Sequence, residues 1–147
     1  MPMKTVNVIL LAEDEEDYVF FTKRALLQAQ ITSGVQTVGD GDQAIAYLAG
    51  TGPYSDRRKY PLPEVIFLDV RMPKTSGFEV LKWIGQKMPK AGPAIVMLSS
   101  SDQAIDKEKA DQLGAHAYVV KPVTADMLID IGNLLHLKWR RAEVPVA

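Results

Sequence analysis

Short apolar runs alternate along this chain with longer segments in which apolar residues recur at helical spacing. The strand candidates built around these runs, each four to seven residues long, cover residues 6–12, 35–39, 65–69, 94–99 and 117–120. Buried strands of this length, separated by amphipathic helices, are typical of a parallel sheet that is covered by helices. The pattern therefore predicts an α/β fold of five strand–helix units with right-handed crossovers.

The spacing of apolar side chains predicts five helices. The first is marked by Tyr18, Phe21, Ala25 and Ala29, the third by Leu81, Ile84 and Met88, and weaker patterns place the second over 40–48 and the fourth over 102–113. Asp17 is a candidate cap for the first helix, and Thr124 for the fifth. The fifth is predicted to continue to about Arg141, since one stripe carries Leu128, Ile131, Leu135 and Trp139.

Residues 50–63 interrupt this alternation. Two Gly and three Pro among these 14 residues favour turns over helix, so we expect an exposed loop. Arg57, Arg58 and Lys59 form a basic cluster within it that could bind an acidic partner, although solvation of such a cluster is the commoner outcome.

Composition narrows the class of protein. The chain has 147 residues, of which 47% are hydrophobic and 24% are charged, as in a single folded domain. We expect a domain core over about 5–136, followed by an extension of the last helix and a tail over 137–147. There is no Cys, which excludes disulfides, thiolate metal sites and cysteine nucleophiles.

Charge and hydropathy argue against two kinds of partner. The net charge of −1 does not provide the basic surface that nucleic-acid binding needs. Every apolar run, such as residues 8–12, is far shorter than the roughly 20 residues that span a bilayer. We therefore expect a cytoplasmic protein that binds neither nucleic acid nor membrane.

Polar and charged residues gather where the predicted strands end. Glu13 and Asp14 follow the first strand, Asp69 ends the third, Ser99 ends the fourth, and Lys121 follows the fifth. Ligands of open parallel sheets bind at this carboxyl edge, where the side chains converge. Clustered carboxylates repel one another unless a cation lies among them, and oxygen ligands suit Mg²⁺. With a lysine and a hydroxyl available to hold anionic oxygens, the group predicts a Mg²⁺-dependent phosphoryl site.

The ordered set of motifs resembles the receiver domains of two-component response regulators. It consists of Glu13-Asp14, Asp69-Val70-Arg71-Met72-Pro73 followed by Gly77, then Ser99 and Lys121-Pro122. The resemblance covers nearly the whole chain and implies a CheY-like, flavodoxin-like doubly wound sheet with strand order 2-1-3-4-5. The loop at 50–63 and the tail containing Trp139 look more like the small single-domain response regulators of bacterial phytochromes.

The resemblance implies a role for each residue of the set. Asp69 would be the phosphoacceptor, and a sensor histidine kinase, in the narrower comparison a bacterial phytochrome, would be the donor. Mg²⁺ would be held by the side chains of Asp14 and Asp69, by the backbone carbonyl of Arg71, and by Glu13 mainly through water. Lys121 would hold a phosphoryl oxygen. Such a protein catalyses its own phosphorylation and slow dephosphorylation but is mainly a signalling switch.

Ser99 and Tyr118 are the implied switch residues. Ser99 stands where Thr is commoner, so the hydroxyl is kept without the methyl group that restricts its rotamer. Phosphorylation is expected to draw Ser99 toward the phosphoryl group and to let Tyr118 turn inward, which changes the face formed by the fourth helix, fifth strand and fifth helix. Plain core packing is the alternative role for Tyr118.

The same face is the predicted surface of a homodimer. The predicted last helix carries more apolar surface than one stripe facing the sheet can bury. The extra apolar residues are Leu134, Leu135, Leu137 and Trp139, and Lys138, Arg140 and Arg141 surround them. Such patches are typical of contact surfaces, and a two-fold axis would bury both copies. The predicted contact residues are Leu128, Leu135 and Trp139. The alternative is that Trp139 folds back over its own domain.

Three other functions fit parts of the pattern. A phosphatase of the haloacid dehalogenase type needs a second acid two residues after its nucleophile, where Arg71 stands. A flavin-binding electron carrier needs a hydroxyl-rich turn for the FMN phosphate, whereas acids follow the first strand here. A receiver-like adaptor that is never phosphorylated is disfavoured by the presence of Asp14, Asp69 and Lys121 together.

Overall fold

Five parallel strands form the central sheet of the protein. The structure is a computed structural model and describes residues 2–142. Its strands are β1 (Lys4–Val6), β2 (Val8–Ala12), β3 (Gly34–Val38), β4 (Val65–Asp69), β5 (Ala94–Ser99), β6 (Ala117–Val120) and β7 (Leu137–Trp139). The central order is β3-β2-β4-β5-β6, while β1 and β7 pair separately. Counted within the central sheet, this is the predicted order 2-1-3-4-5, so the flavodoxin-like fold is confirmed.

Helices cover both faces of the central sheet. They are α1 (Glu16–Gln28), α2 (Gly41–Ala49), α3 (Gly77–Lys87), α4 (Ala104–Gln112) and α5 (Ala125–Leu134). One apolar core lies between the sheet and α1 with α5, and a second between the sheet and α2, α3 and α4. Successive residues of β2 enter the two cores alternately, which is why this strand is apolar throughout. Within residues 2–142, no helix is long and apolar enough to cross a membrane.

One of the two predicted helix caps is confirmed. Thr124 caps α5, because its hydroxyl accepts a hydrogen bond from the N–H of Met127. Asp17 does not cap α1: it lies inside the first turn beside Glu16, and the cap position belongs to Glu15, whose side chain makes no capping bond. Glu16 and Asp17 in this first turn instead lie near the positive end of the helix dipole, which favours acids.

The loop over 50–63 is attached to the domain by Arg57. It contains a short 3₁₀ turn (Gly52–Tyr54) and otherwise irregular backbone, as predicted. The Arg57 guanidinium donates to the carbonyls of Tyr47 and Leu48, at 2.7 and 2.8 Å, where α2 ends. Arg57 therefore adds hydrogen bonds to carbonyls of the last turn of α2 and fixes the loop to that helix end. Only the other two members of the basic cluster are fully exposed.

The predicted first strand is divided at Asn7. The part before Asn7 pairs with β7, and the part after it joins the central sheet. The Glu64 carboxylate accepts hydrogen bonds from the N–H groups of Asn7 and Val8, at 2.7 and 2.8 Å. These backbone donors are therefore satisfied by a side chain at the point where the chain passes from one sheet to the other.

The predicted extension of the last helix to about Arg141 is wrong. After α5, His136 adopts a φ of 55° and directs the chain into β7. In β7, buried Leu137 and Trp139 alternate with exposed Lys138, which is the period of a strand. The same apolar residues also fit a helical stripe, so the pairing with β1 decided the conformation.

The three residues predicted to form a dimer surface lie against their own core, which corrects that prediction. Leu128 is fully buried, Trp139 is 7% exposed, and Leu135 is half-buried. The Trp139 indole N–H donates to the Leu128 carbonyl at 3.0 Å, and its ring stacks on Phe67 with centroids 6.5 Å apart. Trp139 thus folds back over its own domain, because that position offers the indole both apolar contacts and an acceptor.

Candidate functional site

The structure brings four predicted site residues together at the carboxyl edge of the central sheet. Glu13 follows β2, Asp69 ends β4, Ser99 ends β5, and Lys121 follows β6. All four side chains are buried, while Asp14 beside Glu13 is exposed. Because β2, β4, β5 and β6 are neighbours in the sheet, their ends lie side by side. Parallel strands thus create the cluster from residues that are far apart in sequence.

Lys121 joins the two buried carboxylates. Its Nζ donates to Glu13 Oε1 at 2.7 Å and to Asp69 Oδ2 at 3.1 Å. Burial by itself would lower the pKa of Lys121, but the hydrogen bonds and charges of the two carboxylates outweigh burial and raise that pKa above its usual value. Burial, together with the neighbouring Asp69, raises the pKa of Glu13. Two carboxylates share one ammonium, which leaves an excess of negative charge.

The acidic cluster has the composition and spacing of a metal site. Glu13, Asp14 and Asp69 each offer a carboxylate oxygen, and these oxygens lie within 4.8 Å of one another. A divalent cation accepts such oxygen ligands and would offset their mutual repulsion. Arg71 lies on the loop after β4, where its N–H donates to Asp69 Oδ1 at 3.3 Å. The residues present therefore fit a divalent metal.

Gly77 allows α3 to begin directly against the end of β4. A Cβ atom at this position would lie 2.0 Å from the carbonyl oxygen of Asp69. The Gly77 N–H donates to the Val70 carbonyl at 2.9 Å, which closes the loop after the strand. Any larger residue would have to displace the backbone of Asp69, so the geometry of the site depends on this glycine.

Ser99 and Tyr118 contact the same residue of the β5–α4 loop. The Ser99 hydroxyl accepts a hydrogen bond from the N–H of Ser101 at 3.0 Å, and the Tyr118 hydroxyl donates to the Ser101 carbonyl at 2.8 Å. Tyr118 is half-buried against the core beneath α2, α3 and α4. Ser101 therefore links the two predicted switch residues through one peptide segment.

Tyr18 belongs to the site, although the sequence assigned it only to the apolar face of the first helix. Its half-buried ring lies over Lys121, with Nζ 4.0 Å from the ring centroid. The available signal was its distance of four residues from Asp14. Tyr18 lies in the first turn of α1, which begins close to the end of β2, so its side chain stays near that strand end.

Comparison with known proteins agrees with the fold. The sequence profile of the response regulator receiver domain matches residues 9–132. A similar solved structure is the bacteriophytochrome response regulator RtBRR, which is 34% identical in sequence with a TM-score of 0.81. The similarity covers 99% of this chain and 85% of that one.

Two further structures are similar over most of their length. The Mn²⁺-bound form of response regulator Rcp1 is 26% identical, with a TM-score of 0.75 over 95% of this chain and 99% of that one. The phosphorylated cyanobacterial phytochrome response regulator RcpA is 31% identical, with a TM-score of 0.71 over 85% and 87%. With the matching profile, the shared strand order and the acidic cluster, the chain belongs to the response regulator receiver domain family.

Proposed function

We propose that Asp69 of this single-domain response regulator takes a phosphoryl group from the phosphohistidine of a sensor histidine kinase in a Mg²⁺-dependent step. Receiver domains partner with histidine kinases. The observation that carries the proposal is the position of Lys121 Nζ, 3.1 Å from Asp69 Oδ2 and 2.7 Å from Glu13 Oε1, in a cluster where carboxylate oxygens of Glu13, Asp14 and Asp69 lie within 4.8 Å of one another. This chain therefore supplies the nucleophile, the metal ligands and a cation for the phosphoryl oxygens.

Transfer would begin with attack of an Asp69 carboxylate oxygen on phosphorus. An O–P bond forms, the P–N bond of the phosphohistidine breaks, and its electron pair returns to the imidazole. Negative charge is spread over the other phosphoryl oxygens during transfer. Lys121, which already donates to Asp69, would then donate to one of those oxygens. The same arrangement supports slow transfer to water, so the protein acts mainly as a switch.

Mg²⁺, when bound, would neutralise phosphoryl charge and hold the phosphoryl group against Asp69. Its proposed ligands are the side chains of Asp14 and Asp69, the Arg71 carbonyl, and Glu13 through water. The Mn²⁺-bound form of the similar regulator Rcp1 supports a divalent ion.

The switch proposed for this chain runs from Ser99 to Tyr118. If the Ser99 hydroxyl moves toward the phosphoryl group, Ser101 loses the acceptor of its N–H and its carbonyl contact with Tyr118 changes. The expected result is a shift in the face formed by α4, β6 and α5. NMR amide shifts of a phosphorylated Ser99→Ala variant test this coupling. A pattern of shifts identical to that of the wild type would contradict it.

The proposed input is light. RtBRR is named as a bacteriophytochrome response regulator and RcpA as a cyanobacterial phytochrome response regulator. We infer by similarity that the kinase of this chain is a bacterial phytochrome. Phosphotransfer profiling with purified kinases, in which a phytochrome kinase should label this chain faster than other kinases do, tests the inference.

Mass spectrometry with acetyl phosphate tests the phosphorylation itself. The wild type should gain the mass of one phosphoryl group, and the gain should disappear with EDTA or in Asp69→Asn. Asp130→Asn, which changes an exposed aspartate of α5, is the matched control and should label normally. Equal labelling of Asp69→Asn contradicts the proposal. A wild type that never labels indicates the alternative, an adaptor with the receiver fold.

Self-association is also proposed, without the contact residues that the sequence suggested. The helices α4 and α5 expose Ile105, Ile129 and Leu134, which leaves apolar surface for a second copy. Sedimentation at micromolar concentration, with and without beryllofluoride, measures the state. A monomer under both conditions contradicts a homodimer.

A further inference from the structure

The ammonium group of Lys121 is enclosed on one side by an aromatic ring. Its side chain is 4% exposed, because Glu13 and Asp69 occupy two sides and the ring of Tyr18 lies 4.0 Å from Nζ on another. A cation within roughly 6 Å of a ring centroid is attracted by the negative face of the ring. Tyr18 therefore contacts Lys121 electrostatically as well as by packing.

Core packing does not account for the position of Tyr18. The buried residues of α1 are Thr22, Ala25 and Leu26, which lie further along the helix. Tyr18 is half-buried and meets Phe21 edge to face, with centroids 6.5 Å apart, and Phe21 is itself 41% exposed. The Tyr18 ring thus lies at the surface beside the site, where its contact with Phe21 orients it.

Lys121 must change partners during the proposed reaction. Before transfer it donates to two carboxylates, and afterwards one of these carries the phosphoryl group. A ring face attracts the ammonium without supplying a fixed acceptor atom. It can therefore keep Nζ near Asp69 while the hydrogen bonds are exchanged, whereas a third carboxylate would compete with the phosphoryl oxygen.

We propose that Tyr18 is a positioning residue, whose ring face holds the Lys121 ammonium in place for phosphoryl transfer to Asp69. This inference rests on the proposed phosphorylation of Asp69. The phenol hydroxyl has no part in it. Phenylalanine should replace Tyr18, and an aliphatic side chain of similar size should not.

Phosphorylation rates of four variants with acetyl phosphate test the proposal. Tyr18→Leu should slow labelling about fivefold, the order of effect that a partly desolvated cation–ring contact has on a rate. Tyr18→Phe should retain the wild-type rate. Tyr18→Met is a second variant without a ring, in case Leu impairs folding. Phe20→Leu, which removes an exposed ring of the same helix, is the matched control and should label normally.

The outcomes separate this inference from the proposed function. Slower labelling in the Leu and Met variants, with Phe at the wild-type rate and unchanged unfolding midpoints, supports a role for the ring face. Leu and Met variants that label at the wild-type rate overturn the inference and leave the phosphorylation of Asp69 intact. Equal slowing in Phe and Leu also overturns it, because the hydroxyl would then be responsible. A wild type that does not label at all overturns the proposed function instead.

Discussion

Excess negative charge around Lys121 is the main energetic feature at the residue scale. Glu13 and Asp69 are buried and share one ammonium, and Asp14 lies close to both. Burial is the main cause of the raised pKa of Glu13, and the neighbouring charge of Asp69 raises it further, because the two carboxylates repel each other. The site is therefore built to gain stability when a cation binds.

Asp69→Asn is expected to stabilise the protein when divalent cations are absent. Removing one of the two buried charges relieves the repulsion between them, because a neutral amide does not repel the Glu13 carboxylate. Urea unfolding in EDTA measures the effect, with Asp130→Asn as the exposed control. Added Mg²⁺ should then stabilise the wild type more than the variant, since a ligand stabilises the state that binds it. A variant less stable than the wild type in EDTA would contradict this account.

His116 should make the stability of the protein depend on pH. Although the residue lies at the surface, its Nδ1 accepts a hydrogen bond from the N–H of Ile95 at 3.0 Å, which only an unprotonated Nδ1 can do. Partial burial of the ring and the charge of Lys4 lower the pKa of His116 from its ordinary value of 6.5. As the pH is lowered through 6.5, His116 takes up a proton in the unfolded chain before it does so in the folded protein. The free energy of unfolding therefore decreases with decreasing pH until the pH is below the pKa of His116 in the folded state.

The comparison of two histidine variants isolates this effect. His116→Asn places an oxygen near the position of Nδ1 and cannot be protonated in this range. Its free energy of unfolding should therefore fall less between pH 7.5 and pH 5 than that of the wild type. His136→Asn removes the other, exposed histidine and should keep the wild-type slope. Identical slopes for the wild type and His116→Asn would refute the prediction.

At the scale of elements, the start of α3 is the most constrained point. A Cβ at Gly77 would lie 2.0 Å from the Asp69 carbonyl oxygen, while a Cβ at Gly85 of the same helix would meet nothing within 4 Å. Gly77→Ala should cost about 1–3 kcal/mol of stability or more, as overpacking does, and should slow phosphorylation. Gly85→Ala should gain up to about 1 kcal/mol from helix propensity. Urea unfolding of both variants decides, and a neutral Gly77→Ala would contradict the close approach.

The predicted bounds of strands were most accurate where a continuous run of apolar residues marked the strand. The strands over 65–69, 94–99 and 117–120 have the predicted bounds. Each consists of at least four consecutive apolar residues, and the strands over 65–69 and 94–99 are buried on both faces of the sheet, so their pattern does not depend on a particular partner. The error at the C-terminus has the opposite cause. There the apolar spacing fits a helix and a strand equally well, and a distant partner decided between them.

At the scale of the whole molecule, the first and last strands of the described residues pair with each other. β7 lies parallel to β1, with Leu137 opposite Lys4 and Trp139 opposite Val6. Trp139 also fits closely against α5, where a Cβ at Gly132 would lie 2.6 Å from its Nε1. Residues 137–139 are therefore part of the domain rather than an appendage, and Leu137 and Trp139 belong to its core.

Trp139→Ala should destabilise the monomer by about 3–5 kcal/mol, which is the usual cost of removing a large buried side chain. Lys138→Ala changes the exposed neighbour on the same strand and should stay within about 0.5 kcal/mol of the wild type. Urea unfolding at two protein concentrations provides the measurement. If Trp139→Ala kept its stability and only dissociated a dimer, Trp139 would be an interface residue after all.

The sequence by itself determined the five strand–helix units and the residues at the strand ends. These follow from signals within a few residues: apolar runs of strand length, helical spacing, and the polar residues that end each run. Parallel strands place their carboxyl ends at one edge of the sheet. The position of Glu13, Asp69, Ser99 and Lys121 at strand ends was therefore enough to predict that they lie at the same edge.

Only the tertiary structure decided how these residues meet and where the C-terminal segment lies. The shared hydrogen bonds of Lys121, the ring of Tyr18 above it, and the link from Ser99 to Tyr118 through Ser101 depend on side-chain directions that no local pattern records. The strand at Trp139 exists because β1, at the other end of the chain, supplies its hydrogen-bonding partner. A segment with two compatible periods takes the conformation that its distant partner stabilises.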